Sequence, residues 1–184
     1  MTLNQLDLDD ACNGEIEGDL HSFAVDPKRY PPLRRFRCGP NERRSEREVN
    51  EMVRGYTSGK TKDGIFRVTI ETHRLVGVTA VRTATASQPD LGRYAGTPYI
   101  SLLGLSEQYR GRKKAGRRLG DLILQDVLRE ISKRWCGTPN VLVQVNPNNT
   151  HGRNLFERHG FRMIIRARND ESDALFVYSG WQVP

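Results

Sequence analysis

The stretch Tyr99–Leu124, YISLLGLSEQYRGRKKAGRRLGDLIL, decides how this chain is read. It opens with an apolar segment, Tyr99–Leu105, that predicts a strand. It then crosses a loop in which Gly111 and Gly116 stand among Arg110, Arg112, Lys113, Lys114, Arg117 and Arg118. From there Leu119, Leu122, Ile123, Val127, Leu128 and Ile131 recur at helical spacing, which predicts a helix from about Ala115 to Arg134. The first turn of a helix leaves backbone N–H groups unpaired, and the helix dipole adds positive charge at the same end. Glycines remove side chains where the backbone must approach a ligand. Strand, basic glycine loop and helix start therefore form a cradle for an anion, and a diphosphate suits it. The chain has neither GxxxxGK[ST] nor GxGxxG, so the loop is not a nucleotide P-loop or a dinucleotide fingerprint.

Outward from this stretch, Gly137-Thr-Pro139 ends the helix and Val141–Val145 reads as a central, parallel strand. Asn146-Pro147-Asn148-Asn149-Thr150 is a turn that can cap a short helix over Thr150–His159, and Gly160 stops it. Phe161–Arg168 and Ala174–Ser179 read as strands around the acidic turn 169–173. On the N-terminal side, Ile65–His73 and Leu75–Arg82 form a predicted hairpin, and 83–97 reads as a surface loop. Val49, Met52, Val53 and Tyr56 mark a helix over Glu42–Tyr56. Residues 1–24 carry excess acid and no sustained period, and read as a peripheral arm holding at most a short strand. Residues 25–184 then make a single domain.

Composition bounds the class of partner. With 184 residues the chain is long enough to bury a core without disulfides or metal. Its 29 basic against 22 acidic residues give a formal charge of +7, which favours anionic ligands. Cys12, Cys38 and Cys136 fall in no metal-ligand or disulfide spacing, so no metal is expected and a reducing cytoplasm fits. The acidic N-terminus is unlike a signal peptide and no run spans a membrane, so the expectation is a cytoplasmic protein without membrane contact.

Two motifs together carry a resemblance. QYRGRKKAGRRL resembles the pyrophosphate motif YRGxGIGxxL of the GNAT family of acyl-CoA-dependent N-acetyltransferases, with an extra residue between Gly111 and Gly116. Asn149, Gly152, Leu155, Phe156, Glu157, Gly160 and Phe161 fall at the positions of that family's second motif, NxxAxxLYExxGF. Gly152 replaces the small alanine, and Phe156 replaces the tyrosine that in many members protonates the departing thiolate. The likeness covers about Ile65–Ser179. It implies the acyl-CoA N-acyltransferase (GNAT) fold, an α/β arrangement with a mixed, mostly antiparallel central sheet flanked by helices. The sheet would be splayed between the strands at 99–105 and 141–145. A more distant likeness, carried by Phe36-Arg-Cys-Gly39 ahead of a basic helix, is to toxin-like GNAT proteins that acetylate aminoacyl-tRNA.

The resemblance implies transfer of an acetyl group from acetyl-CoA, as co-substrate, to a primary amine by direct attack. Leu103, Gly104 and Leu105 would offer main-chain groups to the pantetheine arm. Arg110, Gly111, Arg112, Lys113, Lys114, Ala115, Gly116 and Arg117 would hold the pyrophosphate, with Asn149 and Phe156 against the arm. Because a phenyl ring gives no proton, the acid is sought at Tyr109, with Tyr94, Ser106 or a water as alternatives, and the base at Glu71. His151 and His159 read as helix-end residues. The cluster Lys28, Arg29, Arg34, Arg35, Arg37, Arg43, Arg44 and Arg47 is interleaved with Glu42, Glu46 and Glu48, which favours a salt-bridged face over an RNA platform. tRNA or another anionic acceptor, and a non-catalytic acyl-CoA- or RNA-binding domain, stand as alternatives. The protein is read as a monomer or homodimer.

Overall fold

The alternation of Phe66, Val68 and Ile70 is realised as a strand pair, β2 (Ile65–Glu71) and β3 (Arg74–Thr83), from which the rest of the sheet is built. In the computed structural model, residues 14–39, 44–60, 64–88, 91–165 and 174–179 are described. The predicted features at Cys12, Pro40, Glu42, Arg43, the end of the strand drawn to Arg168 and the acidic turn 169–173 lie outside them. The described chain runs β1 (Leu20–Ala24), 3-10 turns at Pro27–Arg29 and Pro31–Arg35, α1 (Arg44–Ser58), β2, β3, a 3-10 turn at Gly92–Tyr94 and β4 (Pro98–Leu105). A turn at Glu107–Tyr109 and a small hairpin, β5 (Lys113–Lys114) and β6 (Arg117–Arg118), lead into α2 (Leu119–Arg134). Then come β7 (Asn140–Val145), α3 (Thr150–Arg158), β8 (Phe161–Ile165) and β9 (Ala174–Ser179).

The sheet has the order β1-β2-β3-β4-β7-β9-β8, with β4 and β7 parallel and the other neighbours antiparallel. Its two faces are covered differently. On one, Leu124, Val127, Leu128 and Ile131 of α2 meet Val141, Val143 and Val145 of β7, with Leu155 and Phe156 of α3 closing the cluster. On the other, Val53 and Tyr56 of α1 pack with Leu33 and Phe36 on Phe66, Val68, Val78 and Leu102. Gly104 permits that close approach, since a Cβ there would sit 2.7 Å from Val49 Cγ1. Arg67 of β2, 8% exposed, ties the sheet to α2 by reaching Asp126 at 2.9 Å and Glu130 at 3.4 Å.

Three sequence expectations need correction. The helix after the glycine loop begins at Leu119, not near Ala115, because Lys113–Arg118 fold into a hairpin whose base is closed by Leu119 N–H donating to Arg112 O at 3.2 Å. The described part of the N-terminal arm, residues 14–24, is not merely peripheral. Its β1 pairs along β2 from Leu20↔Glu71 to Ala24↔Arg67, and Ile16, 5% exposed, packs with Val76, Tyr109, Leu119 and Ile123. Within the loop drawn over 83–97, Ala84 and Leu91 are buried in a cluster with Tyr99 and Leu142, and Tyr94 packs against it.

Candidate functional site

β4 and β7 are joined by only a short ladder. Their register comprises Tyr99↔Leu142 and Ile100↔Val143, after which β4 continues against β3 as far as Leu105↔Gly77 and β7 continues against β9. The parting coincides with a bulge. Val81 faces Ile100 and Ala80 faces Leu102, so Ser101 is the extra residue in β4. A bulge increases local twist and reverses which side chains face which side. Here Ile100 and Leu103 join the α2 side while Leu102 joins the α1 side. The main-chain groups of β4 beyond Ile100 thereby lose β7 as a ladder partner and border an opening through the sheet.

That opening is a cleft of about 170 Å³. From the α1 face it is lined by Ser45, Glu48, Val49 and Met52, which recur at helical spacing, and from the α3 side by Asn149, Gly152, Leu155 and Phe156. Its strand walls are Tyr99–Leu103 of β4 and Val143–Asn146 at the end of β7. Polar groups gather where the strands part. Tyr99 Oη donates to Gln144 Oε1 at 3.1 Å, and Ser101 Oγ lies 3.3 Å from Ala80 O and 3.2 Å from Tyr56 Oη. Glu48 is paired with Arg44 at 2.7 Å. Asn146 is 7% exposed; its Oδ1 accepts from Asn148 N–H at 3.0 Å, but its buried Nδ2 has no hydrogen-bond partner among the described residues. An orphaned buried donor beside a cleft is a place for a ligand's acceptor, because leaving it unpaired costs about 1–3 kcal/mol.

The residues drawn from the sequence fall into separate groups. Leu103, Asn149 and Phe156 line the cleft, whereas Gly104 and Leu105 follow along β4 without lining it. Asn149 caps α3, its Oδ1 accepting from Gly152 N–H at 2.9 Å, and Phe156 meets Phe161 edge-on at 5.2 Å between centroids. Glu71 and Tyr109 are brought together, but with each other. Tyr109 Oη donates to Glu71 Oε2 at 2.8 Å while Glu71 Oε1 accepts from Gly18 N–H at 3.1 Å, and neither residue lines the cleft. Burial, then the hydrogen bond to the Glu71 carboxylate, pushes the Tyr109 phenol up to about 12, so it holds its proton throughout the neutral range.

The loop residues are similarly committed. Arg110 donates to Glu46 Oε1 at 2.6 Å and reaches Cys38 Sγ at 3.6 Å; burial, first of all, raises the Cys38 thiol. Gly111 lies at φ 73°, and Arg112 stands over the Tyr109 ring at 5.8 Å. Lys113 N–H donates to Gly14 O at 3.4 Å and Lys114 Nζ to Gly18 O at 2.5 Å. Ala115 and Gly116 turn the hairpin and give their N–H groups to Glu15, while Arg117 reaches Gln125. The amides that open α2 belong to the turn after Arg118, which provides no side-chain cap. Asp121 in that turn accepts from Arg158 at 2.8 Å and lies 3.2 Å from His159 Nε2, fastening α3 to the start of α2. Among the described residues no group of His, Cys, Asp and Glu is placed to hold a metal ion, and no helix is long and apolar enough to cross a membrane.

Sequence reasoning passed over Glu48, Tyr99, Ser101, Gln144 and Asn146. The spacing Ser45, Glu48, Val49, Met52 was a usable signal for the first. The others lie on strands whose divergence is a property of register. No family model matches the sequence, and no curated protein is significantly similar to it. Solved structures are similar in fold. A bacterial toxin superposes with TM-score 0.65 at 15% identity, over 89% of this chain and 92% of that one. PaiA N-acetyltransferase from Thermoplasma acidophilum, in complex with coenzyme A, gives 0.55 at 13%, over 88% and 99%. A GNAT family acetyltransferase from Elizabethkingia anophelis with acetyl-CoA bound gives 0.59 at 11%, over 89% and 99%. The chain has the GNAT acetyltransferase fold. The strands that part are β4 and β7, and the short β5–β6 hairpin precedes α2.

Proposed function

We propose that this protein is an N-acetyltransferase that moves an acetyl group from acetyl-CoA to a primary amine by direct attack. The observation that carries the reading is the cleft through the sheet, opened by the Ser101 bulge and lined from both faces. Two substrates that must meet without a covalent enzyme intermediate need such a passage. The pantetheine arm enters from the α3 side, pairing with the main chain of Leu103–Leu105 as an added strand would. Asn149 and Phe156 bound that side, and Asn146 Nδ2 gains an acceptor from the ligand. The diphosphate lies toward the first turn of α2, among the cations of 110–118, where free N–H groups and the dipole favour it.

The amine enters from the α1 face. There Glu48 is the carboxylate that lines the cleft, and it takes the ammonium proton directly or through water. Near-attack positioning supplies the larger share of the acceleration. The thiolate leaves without the usual tyrosine. Its proton comes from water or from the Ser101 hydroxyl at the point of divergence, and Glu71 and Tyr109 serve to hold β2 against the loop after β4.

An anionic acceptor is favoured by a second feature. A groove of about 800 Å³ on the α1 face is lined by Pro31, Pro32, Arg34, Arg35, Phe36, His73 and Arg74, and its arginines make no ion pair among the described residues. The cluster expected to be salt-bridged is thus divided, with Arg44 paired to Glu48 while Arg34 and Arg35 face the groove. An acceptor bearing carboxylates or phosphates, aminoacyl-tRNA among them, fits this charge. The test is an amine panel that includes charged tRNA, followed by release of free thiol. Some amine turns over in the parent chain, and Glu48→Gln lowers kcat by about 100-fold or more with little change in KM for acetyl-CoA. Acetyl-CoA binding without turnover on any amine leaves a sensor domain instead.

A further inference from the structure

The tip of the β5–β6 hairpin gives its two amides to one of the chain's own carboxylates. Lys114-Ala115-Gly116-Arg117 is a two-residue turn with both central residues at positive φ, 48° for Ala115 and 73° for Gly116. Alanine is disfavoured there, so the tip is held by something beyond local preference. Successive N–H groups in such a turn point outward together and form a concave donor pair, the geometry that binds phosphates and carboxylates. Both donors are taken by Glu15. Its Oε2 accepts from Ala115 at 3.0 Å and its Oε1 from Gly116 at 2.7 Å, so one carboxylate is held in bidentate fashion.

Around this contact the arm is zipped onto the hairpin. Ile16 N–H donates to Lys113 O at 2.9 Å, Lys113 N–H donates to Gly14 O at 3.4 Å, and Lys114 Nζ reaches Gly18 O and Asp19 Oδ1 at 2.5 and 3.2 Å. Glu15 and the tip are exposed, and Lys113, Lys114, Arg117 and Arg118 surround them with positive charge. A side-chain carboxylate carries a single charge, whereas a phosphate carries more charge and more acceptor oxygens. The hairpin leads directly into the first turn of α2, where the diphosphate is placed above.

We propose that Glu15 is an internal anion occupying a phosphate site, and that the N-terminal arm competes with a phosphate group of the ligand for the hairpin tip. Ligand binding then displaces Glu15 and loosens the arm from Gly14 to Asp19, while Ile16 keeps it tethered through the core. The proposal rests on the acyl-CoA reading for the identity of the phosphate, though not for the existence of the site.

The experiment compares the parent chain with Glu15→Gln and Glu15→Ala in calorimetric titrations with CoA, 3′-dephospho-CoA and inorganic pyrophosphate, alongside hydrogen exchange of the Ile16 amide and of amides 113–116. Glu15 is exposed, so both variants retain the fold. The variants bind CoA roughly tenfold tighter than the parent, the order expected for removing a charged competitor, and CoA speeds exchange at Ile16 in the parent. A gain for CoA that vanishes with dephospho-CoA places the 3′-phosphate at the tip; a gain shared by all three ligands places the diphosphate there. Equal or weaker CoA binding by the variants, with exchange at Ile16 unchanged by ligand, overturns the competition and leaves the acyl-CoA reading standing. Tighter pyrophosphate binding by the variants with no CoA binding by any form keeps the site and overturns the acyl-CoA reading. No binding of any ligand by any form overturns both.

Discussion

Tyr109 and Glu71 show at the residue scale how two candidate proton-transfer groups are paired with each other. Both are titratable, and both are side chains that a sequence reader nominates for proton transfer. The structure spends them on each other at 2.8 Å, with Tyr109 only 2% exposed. Folding raises the phenol from its ordinary 10 to about 12, chiefly by burial and then by the Glu71 hydrogen bond. A raised acid pKa stabilises the fold fully below the unfolded value and loses that contribution as pH climbs from about 10 through 12. Tyr109→Phe therefore destabilises the protein by about 1–3 kcal/mol near neutrality. The difference between the two proteins in urea melts shrinks as pH rises from about 10 toward 12. A difference that is constant across that range shows that the phenol is not the group responsible. Phe156 was legible in the sequence as a non-donor, and it lies in the cleft wall.

At the scale of elements, α1 and the β5–β6 hairpin are the pieces that shape the site. Helix α1 lies close over β4 because Gly104 has no side chain, and Val49 at that contact also lines the cleft. Gly104→Val forces Val49 outward. It is expected to cost about 1–3 kcal/mol by overpacking and to weaken acetyl-CoA binding as the cleft changes shape, both read from thermal melts with and without ligand. The apolar stripe from Leu119 to Ile131 and the run Val141–Val145 were plain in the sequence, since period and burial both follow from side-chain type. The hairpin was not. Its turn puts Ala115 at φ 48°, against alanine's preference, and its partner is Glu15, a hundred residues away by chain, so no local signal marks it. Arg117 and Arg118 fit a helix as readily as a strand, and only the closure of Leu119 N–H onto Arg112 O fixes where α2 starts.

At the scale of the molecule, the order of elements carried the fold. A strand, a basic loop and a helix, followed by a strand and a short capped helix, carried the resemblance to the GNAT family that implied it. The splay that makes the cleft depends instead on how β4 registers against β3, and the Ser101 bulge is visible only once Ala80 and Val81 are seen opposite Leu102 and Ile100. Asn149 was named from the sequence and lines the cleft, whereas Ser101, Gln144 and Asn146 line it without having been named. The central claim is that the opened sheet binds acyl-CoA. Thermal unfolding of the parent chain with acetyl-CoA tests it most directly. At about 100 times Kd a ligand adds ~2.7 kcal/mol of stability, which for a chain of this size raises Tm by roughly 5–10 °C. The account predicts a rise of that order that saturates with concentration; an unchanged Tm up to about a millimolar acetyl-CoA, a concentration well above the Kd the claim requires, would contradict it.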